Sequence, residues 1–384
     1  MGIFTGLIPG VHINLVGSLI ASSSIIIIAG INPIYLVVFI VSMSITHVFV
    51  DFIPSIFLGA PECGTELSVL PGHEMLKKGL GFQAVKLTAL GCLIGLFIFV
   101  LMILPLSLIA EVFSESGLAI KIIPLVLILV SLSVVFGERK KFFALFAFLL
   151  SGILGLIVLN LNLKEPLVPL LTGLFGASSV LLSIKSKTKI QKQETKSELR
   201  IKKFKPALAS AVFTPLSLFF PALSGGQIAV IGNRFSKLDK KEFLFMLGII
   251  NVLAMSFSFL GLYLIEKTRT GSAAVIKQLI GTLETNVFVL IVFVILFSGI
   301  LSFFIVKFLS KKFVSVLEKT NYTKVSYVVL AIMAVVTFIV SGFFGFFVFL
   351  VAAATGVYCI NLGVSRINMM GCLLLPTIVF YLML

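Results

Sequence analysis

Three stretches of the chain set helix-breaking residues beside polar groups in otherwise apolar surroundings. GLIPGVHINLVG (6–17) places Pro9-Gly10 ahead of His12 and Asn14. GAPECGTELSVLPG (59–72) carries Pro61, Glu62, Thr65, Glu66 and Ser68. FPALSGGQIAVIGN (220–233) sets Pro221, Ser224, Gly225, Gly226 and Gln227 in a run without charge. Proline withholds an N–H and glycine relaxes the backbone, so each stretch predicts an interrupted helix. The freed amides and the positive end of the half-helix suit an anionic ligand. The bland alternative is a kink with no ligand.

Ionisable groups at membrane depth are the second signal, because they are costly there and face a cavity or a partner. His47 and Asp51 share a helix face at i, i+4 spacing. Asp51, Glu62 and Glu66 are the candidates to carry a coupling proton or cation, unless His47 and Asp51 form only a capping pair. His73 and Lys77 follow the second stretch, and Arg234 and Lys237 follow the third. Such basic groups fit an anion and lipid headgroups equally. Arg366 is the one formal charge between Lys324 and the C-terminus, and it either snorkels to an interface or holds a ligand. No H-E-x-x-H or G-x-S-x-G element occurs, and the 4 cysteines form no C-x-x-C pair. No catalytic residue, metal site or cofactor is expected, and the protein is not read as an enzyme.

The elements that position these groups follow from composition. Of 384 residues, 59% are apolar and 12% charged, about half the charge of a soluble domain. Residues 1–50 hold no Asp, Glu, Lys or Arg, and charge-free runs recur at 87–110, 142–163, 166–184, 206–233, 243–265, 285–306, 325–365 and 367–384. Several reach the roughly 20 residues needed to span a bilayer. The runs are continuous rather than alternating, which predicts helices and not a β-barrel. The sequence therefore predicts an all-α polytopic membrane protein with about 10–12 transmembrane or re-entrant helices, the 325–365 run counting as two spans broken near Ser341-Gly342. The N-terminal stretch lacks the basic start of a cleavable signal, and no segment suggests a separate soluble domain. The net charge of +15 sits in short loops, which points to headgroups and membrane orientation rather than nucleic acid.

The stretch 185–205 holds nine Lys or Arg against two Glu and reads as a solvated cytoplasmic linker. It separates a first repeat, 1–184, from a second, 206–384. A shift of 160 residues lays 60–79 over 220–239 and aligns Pro61 with Pro221, Gly72 with Gly232 and Lys77 with Lys237. Matched broken segments in two halves are the mark of a secondary transporter, commonly with inverted topology.

IPG near the start, FLGAPECGTELSVLPGHEMLKKGLGFQAVKLTALG (57–91), TGLFG (172–176) and GVSRINMMGCLLLPTIVFYL (363–382) resemble the TctA-like large permeases of tripartite tricarboxylate transporters, in particular their archaeal branch. The resemblance covers both halves. It implies two repeats with a pocket formed by the IPG-type and GAPE/SGG-type segments, and cation-coupled uptake of small carboxylates. Bacterial members work with a small membrane subunit and an extracytoplasmic binding protein. Here two carboxylates, Glu62 and Glu66, stand in the second motif and repel a carboxylate unless protonated or paired with a cation. PALSGG (221–226) is also similar to the P-G-x-S-G-G pattern of polyprenyl-phosphate translocases, which makes a lipid phosphate the alternative cargo. The expected setting is the cell membrane, with membrane lipid, a small anion, H⁺ or Na⁺ and a homodimer as the expected partners.

Overall fold

The computed structural model describes residues 1–8, 13, 16–17, 30, 32–59, 65–116, 118–185, 191–195, 201–219 and 223–383. Among them the chain is helical without strands, as the continuous apolar runs require. Among the described residues eight helices are long and apolar enough to cross a membrane.

After a short α1 (Gly2–Leu7), α2 (Pro33–Val50) and α3 (Phe52–Leu58) form one span with a break at Asp51. Pro54 cannot donate to the Val50 carbonyl, which loosens the ladder at that point. Gly59, at φ +69°, ends the span in a left-handed turn that a side chain would strain. Then come the short α4 (Val69–Lys77), the long α5 (Gly81–Ser116), α6 (Leu118–Phe136) and α7 (Lys141–Asn160). A last span joins α8 (Leu167–Leu171), a π-helical turn at Thr172–Ala177 and α9 (Ser178–Lys185).

The second half begins with α10 (Phe204–Phe213), α11 (Leu216–Phe219) and α12 (Gly225–Ser236). Gly232 of α12 packs on Ala209 and Phe213 of α10, so the two arms form a hairpin that enters and leaves on one side. Next are α13 (Lys240–Ile265), the short α14 (Gly271–Ile280), α15 (Thr285–Lys319), α16 (Tyr322–Asn361) and α17 (Gly371–Met383). Within α16 the helix reverses at Gly342 (φ +69°, ψ −168°), a backbone that needs glycine. The 325–365 run is thus two spans broken where the sequence predicted.

The halves repeat helix by helix. A span of 26 residues, a short helix of 9, helices of 36 and 19 and spans of 20 and 19 residues make up the first. The second answers with 26, then 10, then 35, then 40 folded at Gly342, then 18. Individual residues agree: Ser68 and Thr270 stand at the N-caps of α4 and α14, 202 apart in the chain, and Gly152 and Gly356, 204 apart, play matching packing roles. Gly152 of α7 fits against Gly371 and Leu375, and Gly356 of α16 against Leu174 and Ser178. The register is therefore near 204, and the 160-residue match of the sequence reading is corrected. Pro-Gly punctuation recurs throughout this chain, and a gapless shift locked onto the wrong pair.

The repeats are inverted. Phe99 meets Phe257 and Thr88 meets Gly248, so α5 and α13 run in the same direction. Tyr263 at the end of α13 stacks on Phe288 at the start of α15, with ring centroids 4.3 Å apart, so α15 runs opposite to both. Ser302 bonds Thr46 and Phe313 stacks on Phe57, which sets α2 parallel to α15. The equivalent helices α5 and α15, and likewise α2 and α13, are antiparallel. At the α5–α13 crossing any Cβ on Gly91 or Gly248 would overlap the backbone of Phe245 or Thr88.

The linker is not merely solvated. Gln193 is buried; its N–H donates to Glu318 Oε1 (2.7 Å), its Nε2 to the Leu76 carbonyl (3.0 Å), and its Oε1 accepts from Gly81 N (2.8 Å). Glu194 N donates to the Gly79 carbonyl (2.7 Å). These contacts join the α4–α5 turn of one half to the end of α15 in the other, on what is called the linker face below.

Candidate functional site

The inverted repeat places one half-site near each face. On the far face, α13 ends at Ile265, and Glu266-Lys267-Thr268-Arg269 lead into α14. Thr270 caps α14 by accepting from Ala273 N, and its hydroxyl lies 2.8 Å from that of Ser258 on α13. Preceding it, Arg269 reaches back to the hairpin and donates from Nη2 to the Leu223 carbonyl at 2.5 Å. A cavity of about 330 Å³ opens there, lined by Leu218, Phe257, Ser258, Gly261 and the 266–269 loop.

Ser224 and Gln227 close a reciprocal cap at the start of α12. Gln227 N donates to Ser224 Oγ (3.3 Å), and Ser224 N donates to Gln227 Oε1 (2.9 Å). Both polar side chains thus hold the turn. The first amides of a helix have no acceptor inside it, so those of Gly225 and Gly226 are left without an intrahelical partner. Gln227 is fully buried, and its Nε2 has no hydrogen-bond partner among the described residues. The site joins amide donors, the positive end of a 12-residue helix and one guanidinium, an arrangement for an anion.

On the linker face the first half repeats this hydroxyl framework. Ser55 on α3 bonds the Ser68 hydroxyl (2.7 Å) and donates to the Thr65 carbonyl (3.1 Å), as Ser258 meets Thr270 in the second half. Thr65 and Ser68 build the turn. The segment before this turn holds Glu62 in the first half and Glu266, Lys267 and Arg269 in the second.

Between the faces lies a buried polar pair. Asn251 Nδ2 donates to Asp51 Oδ2 (3.3 Å) and to the Val48 carbonyl (3.1 Å), which joins α13 to the break in the first span. His47, one turn before, places Nδ1 3.0 Å from the Thr5 hydroxyl of α1.

His73 on α4 sits under Gly59. Its Nδ1 lies 3.1 Å from the Ile56 carbonyl, which only accepts, so Nδ1 carries the proton. Its Nε2 lies 3.0 Å from the Tyr322 hydroxyl, itself 3.0 Å from the Phe57 carbonyl. Burial first, then the charges of Lys77 and Arg366, hold its pKa down at about 4, against a smaller upward pull from the Ile56 carbonyl.

The sequence candidates therefore divide. Pro9, Gly10, His12, Asn14, Pro61, Glu62 and Pro221 lie outside the described residues, as does the side chain of Glu66. Thr65 and Ser68 stand near the linker face and Ser224–Gln227 toward the far one. Arg234 lies at the other end of α12 from Ser224, about 15 Å along the helix, and its Nη1 donates to the Ser133 carbonyl. It cannot face the amino end of that helix. Lys77 is exposed at the end of α4. Arg366 bonds Ser179 Oγ at 2.6 Å and ties the last span to α9 rather than snorkelling alone. Arg269 and Asn251 escaped the sequence reading: a lone Arg in a polar loop resembles any basic loop, and an Asn inside an apolar run has no periodic signature. The Thr-x-Ser of Thr270–Ser272, matching Thr65–Ser68 with one residue fewer, was the available signal. Among the described residues no group of His, Cys, Asp and Glu is placed to hold a metal ion.

Eight apolar helices long enough to cross a membrane among the described residues, with no strand among them, define a polytopic helical membrane protein. The chain belongs to the tripartite tricarboxylate transporter TctA family, whose model matches residues 1–371. It is also similar to the uncharacterized protein MJ1079 of Methanocaldococcus jannaschii, 29% identical over 390 residues that cover 99% of this chain and 96% of the relative. No solved structure matches it. The protein is thus a multi-pass membrane transporter component.

Proposed function

We propose that the protein moves a small organic anion of the carboxylate class by alternating access, coupled to a proton or sodium ion. The observation that carries this reading is Arg269 set against the amino end of α12 beside a cavity. A carboxylate takes one charge-assisted bond from the guanidinium and others from the Gly225 and Gly226 amides. Lys267 and Thr268 border the same space, as does Glu266, whose carboxylate pairs with Lys277 (3.7 Å), while Leu218 and Phe257 give it apolar walls. Asp51, with Glu62 and Glu66 in the opposite half-site, is the coupling group. Its place at the α2–α3 break, against Asn251 of the other half, lets a bound cation alter how the halves meet. The basic linker face is cytoplasmic in this reading, the membrane is the cell membrane, and a small membrane subunit and a binding protein complete the system.

The test is counterflow in proteoliposomes. Vesicles loaded with unlabelled citrate or a shorter carboxylate should accumulate the labelled compound, faster with a sodium or proton gradient. Accumulation absent for every carboxylate tested, together with translocation of a short-chain polyprenyl phosphate, would replace this reading by the lipid-carrier alternative.

A further inference from the structure

The outer side of the α10–α12 hairpin holds a groove of about 320 Å³, separate from the cavity at Arg269. Leu208, Ala209 and Val212 line it from α10, with Phe213 stacked on Phe235 of the opposite arm, ring centroids 5.3 Å apart. Leu208, Val212 and Phe235 are exposed, at 52%, 57% and 74%. Lys205 and Ser236 stand at its mouth, on the linker face. Lys202 and Lys203 precede the helix directly, and Lys237 follows the other arm. From Lys205 to Val212 the apolar wall runs about 10 Å into the membrane domain.

We infer that this groove binds an anionic phospholipid, headgroup at Lys205 and Ser236 and acyl chain along Leu208, Val212 and Phe235. The charge complementarity selects the occupant: an apolar trough alone accepts any acyl chain, but a trough mouthed by a lysine and flanked by three more favours one with a negative headgroup. A lysine at the mouth also lays its own methylenes on the trough, continuing the apolar wall up to the phosphate. The lipid would brace both arms of the hairpin whose tip carries Ser224, on the side away from the cavity. The inference does not depend on which cargo the protein carries.

The chain contains no tryptophan, so a single one reports its local lipid. Phe235→Trp places a reporter on the groove, and Phe297→Trp places a control on the exposed face of α15. Each variant is reconstituted in phosphatidylcholine mixed with phosphatidylglycerol, with bromine in the acyl chains of one or the other. Quenching at position 235 should show roughly a fivefold preference for the anionic lipid, the factor expected of one basic contact near the surface. At position 297 the preference should be about one. Adding Lys205→Gln should abolish the preference at 235, and Lys205→Arg should retain it. Equal quenching at both reporters, or a preference that survives Lys205→Gln, would overturn the assignment.

Discussion

Acidification should loosen the contact between the first half and α16, and His73 sets the pH at which it does so. In the folded protein His73 is neutral, with Nδ1–H on the Ile56 carbonyl and Nε2 beside the Tyr322 hydroxyl. Burial and the cations Lys77 and Arg366 depress its pKa from 6.5 to about 4. The unfolded chain therefore binds the proton first as pH falls. The stabilisation linked to neutral His73 is complete above 6.5 and is lost progressively between 6.5 and about 4. That interval corresponds to on the order of 3 kcal/mol, or several degrees of melting temperature. The assay is a thermal melt in detergent at half-unit steps from pH 7.5 to 4, run on the wild type and on His73→Gln. Every other ionisable group is common to both proteins, so the difference between the curves isolates His73. The variant should be less stable at pH 7.5 and should converge on the wild type by pH 4. Parallel curves across the whole range would refute the burial argument.

Further outcomes follow from the same geometry. Arg269→Gln should weaken carboxylate binding roughly tenfold to hundredfold, the value of one hydrogen bond to a charged group, measured by titration calorimetry. Asp51→Asn should leave exchange of labelled for unlabelled substrate intact while removing its acceleration by an ion gradient in proteoliposomes. Gly248→Leu should destabilise the fold by several kcal/mol, because its side chain meets the Thr88 carbonyl where α5 and α13 cross; an unchanged melting temperature would contradict that crossing. Gly225→Leu should reduce anion affinity without a comparable loss of stability, since it blocks approach to the amides of α12 and leaves the Ser224–Gln227 cap in place.

Much of the fold was legible in the sequence because hydrocarbon imposes simple rules. Charge-free runs marked the spans, and Ser341-Gly342 marked the reversal inside α16, since only glycine readily adopts its backbone. Ser224-Gly-Gly-Gln227 announced a helix start, and it is one. The repeat register was not legible. The two loops share little identity, Glu62 in one and Glu266, Lys267 and Arg269 in the other, so a residue-by-residue comparison carries little signal there. Helix lengths and packing glycines keep the relation after side-chain identity has gone. The pairing of Asp51 with Asn251 was out of reach for another reason: it joins residues 200 apart through a crossing that no local pattern encodes. Gln193 escaped for the opposite reason, since a run of lysines around it suggested solvent on all sides.

An anion site made by Arg269 and the amino end of α12 should show itself in ligand-induced thermal stabilisation. Purified protein would be melted with citrate and shorter carboxylates, with and without sodium, beside Arg269→Gln. A ligand at a hundredfold excess over its Kd should add about 2.7 kcal/mol to the wild type, more with the coupling ion and far less in the variant. Stabilisation by a carboxylate that is equal in wild type and Arg269→Gln would contradict the account.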